Sequence, residues 1–171
     1  MKTLYLLRHA KSDWGNPNLA DIDRPLNERG IKASERLGEL FNTQGIEPEL
    51  ILCSPARRTR QTLSLIAEVT GEDYETRFEK GLYETGADKI LKIIHALPAG
   101  LKSVMIIGHN PGLETLAHQL IRPSNPEALT RLQEKFPAGG LATLGFLGLE
   151  WRNIGPTDAE LVDFVTPKEL A

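Results

Sequence analysis

Three short polar clusters carry the most reactive side chains of the sequence, and each directly follows an apolar run. Arg8 and His9 follow "TLYLL" (3–7). Ser54, Arg57, Arg58 and Arg60 follow "LILC" (50–53), and Gly108, His109 and Asn110 follow "VMII" (104–107). An imidazole serves as nucleophile or proton carrier near neutral pH. A guanidinium keeps its charge and grips two oxygens of a phosphoryl group at once. Histidines among arginines therefore suit the binding of an anion, most simply phosphate. Guanidinium groups also oppose protonation of a nearby histidine. One such contact at about 4 Å is worth roughly 4 kcal/mol at an effective permittivity near 20, before solvation costs. The same cations speak against a metal centre built from His9, His109 and aspartates, so no metal is expected.

The elements that must position these groups are legible from the pattern. Short continuous apolar runs suit strands buried on both faces, as in parallel sheets covered by helices. A helix is expected after Asn27, which can cap it, with Ala33, Leu37, Leu40 and Phe41 on one face and Gly45 past its end. A second follows Ser54 as cap, with Pro55 in the first turn and Gly71 past the end. A third follows Asn110 and Pro111 in the same arrangement. Further helices are expected at about 87–97 and 126–135, and an edge strand at 74–78. "LATLGFLGLEW" (141–151) and "AELVDFV" (159–165) read as two more strands, an antiparallel pair completing one side of the sheet. The expectation is an α/β fold, a three-layer α/β/α sandwich around a mostly parallel sheet. In such sheets the carboxyl ends of the strands line a common crevice where ligands bind, and helix N-termini there favour anions.

The 171 residues favour one domain spanning 1–171, large enough for a core without staples. A net charge of −3 speaks against a nucleic-acid binder, which is usually basic. The single cysteine, Cys53, excludes an internal disulfide and suits a reducing compartment. No apolar stretch approaches membrane-spanning length, so the expectation is a cytoplasmic protein that does not engage a membrane, monomeric by default.

With the clusters in order, a resemblance emerges. "LLRHAKS", "CSPARRTRQT" and "IIGHNPGL" resemble the successive signatures of the histidine phosphatase superfamily, also called phosphoglycerate mutase-like. "DIDRPLNERG", "FPAGGLATL" and "FVTPKEL" resemble its compact branch, the SixA-like phosphohistidine phosphatases. The resemblance implies a hydrolase of phosphate compounds that needs no cofactor. His9 would be the nucleophile, forming a phosphohistidine. Arg8 and one arginine of the second motif would hold the phosphoryl oxygens, and His109 would be a positive or hydrogen-bonding clamp. The family pattern places the second arginine four residues after the serine, which selects Arg58. On a helix Arg58 shares a face with Thr62 and Leu65, while Arg57 and Arg60 point elsewhere. Asn110 and Lys11 are further candidates for binding substrate. Ala10 stands where the superfamily usually has glycine.

The acid that protonates an ester leaving group would be Glu84 in "GLYETG", although the family's usual following sequence is absent. A weak acid favours P–N over P–O substrates, because an alkoxide leaves poorly without a proton. No long insertion forms a lid, so the crevice could admit a side chain of a folded protein. The substrate implied is thus a phosphorylated protein bearing phosphohistidine, and the function protein dephosphorylation. The alternatives are a small phosphorylated substrate and a non-catalytic phosphate- or phosphoprotein-binding relative. His95 and His118 read as structural or exposed, and Cys53 as buried. Asp21 and Asp23 read as loop-ordering partners of Arg24 or Arg29. Trp14 and Asn16 are weaker candidates for the crevice wall.

Overall fold

The computed structural model describes residues 1–123 and 126–170. Six strands form one sheet: β1 (Lys2–Arg8), β2 (Leu50–Cys53), β3 (Thr76–Phe78), β4 (Ser103–Gly108), β5 (Leu141–Phe146) and β6 (Glu160–Val165). Their order is β3-β2-β4-β1-β5-β6. The first four run parallel, β5 runs antiparallel to β1, and β6 runs antiparallel to β5. The mostly parallel sheet with an antiparallel pair at one side is the arrangement expected from the sequence.

Successive side chains of the central strands enter opposite layers. Leu4, Leu6, Leu52, Val104 and Ile106 pack with α3 (Ala87–His95), α4 (Gly112–Leu120) and α5 (Pro126–Glu134). Leu7, Ile51, Cys53, Met105 and Ile107 pack on the other face with Leu37 and Phe41 of α1 (Glu28–Gln44) and Leu63 and Ile66 of α2 (Arg57–Thr70). Burial on both faces explains why these strands read as unbroken apolar runs rather than alternating ones. A short α6 (Pro167–Leu170) closes the chain against α1. Among the described residues no helix is long and apolar enough to cross a membrane.

Helix α1 starts and stops as its sequence predicts. Asn27 Oδ1 accepts from the amide of Gly30 at 2.8 Å, and Gly45 ends the helix at φ 64°. Gly30 is also demanded by packing, since a Cβ there would fall 2.1 Å from the carbonyl oxygen of Lys11. Two expected caps are different. Helix α2 begins at Arg57, after Ala56, and α4 begins at Gly112, after Pro111. Ser54 bonds His109 as well as the Ala56 amide, and Asn110 bonds the Phe136 carbonyl. The expected 141–151 strand stops at Phe146, because Gly148 turns the chain at φ 69° and a 3-10 turn carries Trp151 into the core.

Candidate active site

The parallel strands β1, β2 and β4 end side by side, with Arg8 opposite Gly108 and Cys53 opposite Ile107 in register. This register brings the three polar clusters together. The amide of His9 donates to the carbonyl of Gly108 at 3.2 Å, and that of Ser54 to Ile107 at 3.0 Å. The rings of His9 and His109 stand 5.2 Å apart, and Arg58 Nη2 reaches His109 Nδ1 at 3.3 Å.

His9 is buried, and its Nδ1 lies 2.7 Å from the carbonyl oxygen of Ala10. A carbonyl only accepts, so Nδ1 carries the proton and the lone pair sits on Nε2. No described protein group hydrogen-bonds that Nε2. The ring's pKa is lowered to about 3, chiefly by burial, with His109, Arg58 and Arg8 adding to the effect against the pull of the Ala10 carbonyl. The sequence reading credited the guanidinium groups first, whereas desolvation is the larger cause here because the ring is shut away from water. Ala10 does not adopt positive φ, so its side chain is tolerated where glycine is usual. The amide of Ala10 donates to Thr62 Oγ1 at 3.1 Å, and the Thr62 hydroxyl donates to the Arg58 carbonyl at 2.7 Å. This relay fixes the end of β1 to the helix that carries Arg58.

His109 is neutral for the same reason, its pKa lowered to about 4 by burial and then by Arg58. An arginine only donates, so His109 Nδ1 is the acceptor and Nε2–H donates to Ser54 Oγ at 2.8 Å. The ring acts as a hydrogen-bonding partner rather than a positive clamp. Ser54 Oγ also accepts from the amide of Ala56 at 3.3 Å, one residue before α2 begins.

Arg58 is buried, while Arg57 and Arg60 are exposed. Its Nη1 donates to the Asp21 carbonyl at 2.8 Å and its Nη2 to Asp21 Oδ2 at 3.2 Å. Asp21 also accepts from Arg24 Nε at 3.0 Å and from the Tyr83 hydroxyl at 2.6 Å, and these donors hold its carboxyl down to about 2, Tyr83 foremost. The expected Asp21–Arg24 pair is therefore present, but Asp21 also aims Arg58. The Tyr83 ring meets His109 edge-on at 5.6 Å. Arg8 Nη1 donates to the Phe136 carbonyl at 3.1 Å, and Asn110 Nδ2 donates to the same oxygen at 2.8 Å. The Nε atoms of Arg8 and Arg58 are buried without a protein partner, as is Asn110 Oδ1. Buried guanidinium N–H groups with no internal acceptor are suited to the oxygens of a bound phosphoryl group.

The remaining candidates lie farther out. Glu84 is exposed at φ 50°, next to Tyr83, and makes no hydrogen bond or ion pair among the described residues. The Lys11 side chain is exposed and lines a neighbouring cavity. Trp14 covers the Arg24 guanidinium at 3.5 Å, and Asn16 accepts from the amide of Asn18; neither hydrogen-bonds to a site residue. His95 bonds the Ile154 carbonyl at 2.7 Å, His118 is exposed, and burial pushes the Cys53 thiol up to about 12, as structural residues should. Sequence reasoning missed Tyr83, Ser54 as the partner of His109, Thr62 as a brace and Phe136 as an acceptor. Ser54 and Thr62 lay inside a recognised motif, and helical spacing had already put Thr62 on the Arg58 face, but neither signal gave their partners.

Comparison with known proteins identifies the family and the fold. The family described as "Histidine phosphatase superfamily (branch 1)" matches residues 4–95. An uncharacterized protein of Mycobacterium tuberculosis is 34% identical over 164 residues, covering 95% of this chain and 100% of the relative. A protein assigned as phosphohistidine phosphatase SixA from Agrobacterium tumefaciens superposes with a TM-score of 0.82 at 32% identity, covering 97% of this chain and 98% of the other. The protein histidine phosphatase SixA complexed with tungstate shares the fold at a TM-score of 0.79 and 20% identity, over 99% of both chains.

Proposed function

The chain belongs to the histidine phosphatase superfamily and is a phosphatase, and from that premise we propose that it works through a phosphohistidine on His9 and takes its phosphoryl group from phosphohistidine on a protein. The observation that carries the catalytic reading is the His9 ring: buried, with Nδ1–H held by the Ala10 carbonyl and its Nε2 lone pair available at neutral pH. Nε2 attacks phosphorus, and the bond from phosphorus to the leaving nitrogen or oxygen breaks. Arg8 and Arg58 hold the equatorial oxygens as negative charge spreads over them. His109 and Asn110 complete the polar wall. Water then attacks the phosphorylated His9, the P–N bond to Nε2 breaks, and inorganic phosphate leaves.

The choice of a protein P–N substrate rests on three supports. The acid candidate Glu84 is exposed and unanchored, which suits a leaving imidazole that arrives already protonated better than an alkoxide. The sequence carries no long insertion between its motif-bearing segments from which a lid over the site would be built, which suits a substrate as large as a folded protein. The SixA-type protein from Agrobacterium is similar over nearly its whole length. A small phosphate ester is the second reading. It is favoured by the position of Glu84 beside Tyr83, at the edge of the His109 ring.

Incubation with phosphoramidate followed by acid and base treatment tests the mechanism. Acid-labile, base-stable phosphate on His9 is expected, and full turnover by His9→Ala would overturn it. Glu84→Gln then separates the substrates: selective loss of ester hydrolysis places Glu84 as the acid, and equal rates on esters remove it.

A further inference from the structure

A second concentration of positive charge lies beside the site. It lines a cavity of about 810 Å³ between α1, α5 and α6. Helix α1 contributes Arg29, Lys32 and Arg36, whose spacing places them on one face. The end of α5 contributes Arg131, the residue just past it is Lys135, and α6 contributes Lys168. Lys11, two residues from His9, closes the end nearest the catalytic strand. Against these stand Glu134 and Glu169, on a chain whose formal net charge is −3.

Most of this charge is uncommitted. Arg131 pairs with Glu169 at 3.6 Å and Asp163 at 4.0 Å and donates to the Phe164 carbonyl. The other six cations have no carboxylate within 4 Å among the described residues. Ala33, Pro137, Ala138 and Pro167 add apolar surface between them. The loop that walls the groove also walls the site. Within it Phe136 accepts from Arg8, and the amide of Gly139 donates to the carbonyls of Arg8 at 3.0 Å and His9 at 2.9 Å.

This is not a second phosphate cradle. Arg58 is buried and held by Asp21, whereas the groove's lysines and arginines are exposed on long stems. Dispersed, solvated charge over an apolar floor matches carboxylates strung along a polypeptide. Such complementarity acts mainly on encounter and register, and it is weakened by salt. We infer that the groove docks an acidic segment of the phosphoprotein whose phosphohistidine enters the site. The inference rests on the protein-substrate reading above and adds the feature that selects among phosphoproteins.

Two phosphohistidine peptides of equal length test it, one flanked by Asp and Glu and one by Gln and Ser. At low salt the acidic peptide should show about tenfold higher kcat/KM, through KM, and the gap should close as salt rises. The double reversal Lys32→Glu with Arg36→Glu should erase the gap while hydrolysis of a small aryl phosphate stays at the wild-type rate, which also reports that the variant is folded. Equal kcat/KM for the two peptides in the wild type, or an undiminished preference in the variant, would overturn docking. Hydrolysis of the aryl phosphate with neither peptide turned over would instead sink the protein-substrate reading. The groove is then judged alone, by fluorescence anisotropy of a labelled, unphosphorylated acidic peptide. Binding by wild type but not by the double variant supports docking, and no binding at low salt ends it.

Discussion

The proposed active site and the α1–α5–α6 groove both gather positive charge, and they do so in opposite ways. At the centre, Arg58 is buried, aimed by Asp21 and in contact with a neutral histidine. In the groove the cations are exposed, and six of them lack a carboxylate partner among the described residues. A charge that must stabilise a transition state is useful when it is fixed in advance and shielded from water, because it then reorganises little during the reaction. A charge that recruits a partner from solution works at longer range and tolerates freedom, at the cost of salt sensitivity.

Substitutions at the centre should therefore be severe and insensitive to salt. His9→Ala removes the proposed nucleophile, and kcat should fall by about 10⁴-fold or more in steady-state assays. Arg58→Ala should cost about 10²- to 10³-fold in kcat at any ionic strength. Loss comparable to that of Arg57→Ala would break the distinction between buried and exposed arginine. Asp21→Asn keeps the size of the side chain but weakens the aim of Arg58. It should lower kcat by roughly tenfold while leaving the salt dependence of peptide KM unchanged. A change in that salt dependence would instead assign Asp21 to recruitment.

The two histidines extend the contrast to pH. Their folded pKa values, about 3 and about 4, lie below the ordinary histidine value of 6.5. Between those limits the unfolded chain binds more protons than the native one, so native stability rises with pH across that window. The contribution is complete above about pH 6.5 and is lost progressively as pH falls toward 3–4. The urea midpoint should drop between pH 6.5 and 5, and less so in His9→Gln. Nitrogen NMR of wild type should show both site rings neutral at pH 5, and a titration near 6.5 would contradict their burial. Smallest of all, Tyr83→Phe deletes one of several hydrogen bonds to the Asp21 carboxylate, worth about 1.5–3 kcal/mol to that group; Arg24 and Arg58 still hold Asp21, so kcat should fall by about fivefold or less.

How much of this was readable beforehand depended on the range of the interaction. The run "TLYLL" and the Asn27 cap are local statements, and β1 and α1 appear where those statements put them. The caps assigned to Ser54 and Asn110 were also local inferences, and there tertiary partners intervene. His109 bonds the Ser54 hydroxyl, which also accepts from the Ala56 amide, and the Phe136 carbonyl claims the Asn110 amide. Lys11 lies next to the catalytic pair in sequence, yet its side chain lines the groove, because strand-end residues two apart need not face one way once the chain leaves the sheet.

From the sequence by itself came the α/β class and the three strand ends, since apolar runs and helical spacing operate within a few residues, while the family resemblance pointed to Arg58 among its neighbours. Only the tertiary structure decided that Asp21 aims Arg58, that burial rather than neighbouring charge chiefly keeps His9 neutral, and that basic residues from the two ends of the chain line one groove. Those outcomes depend on which distant segments exclude water from one another, and no local pattern records that.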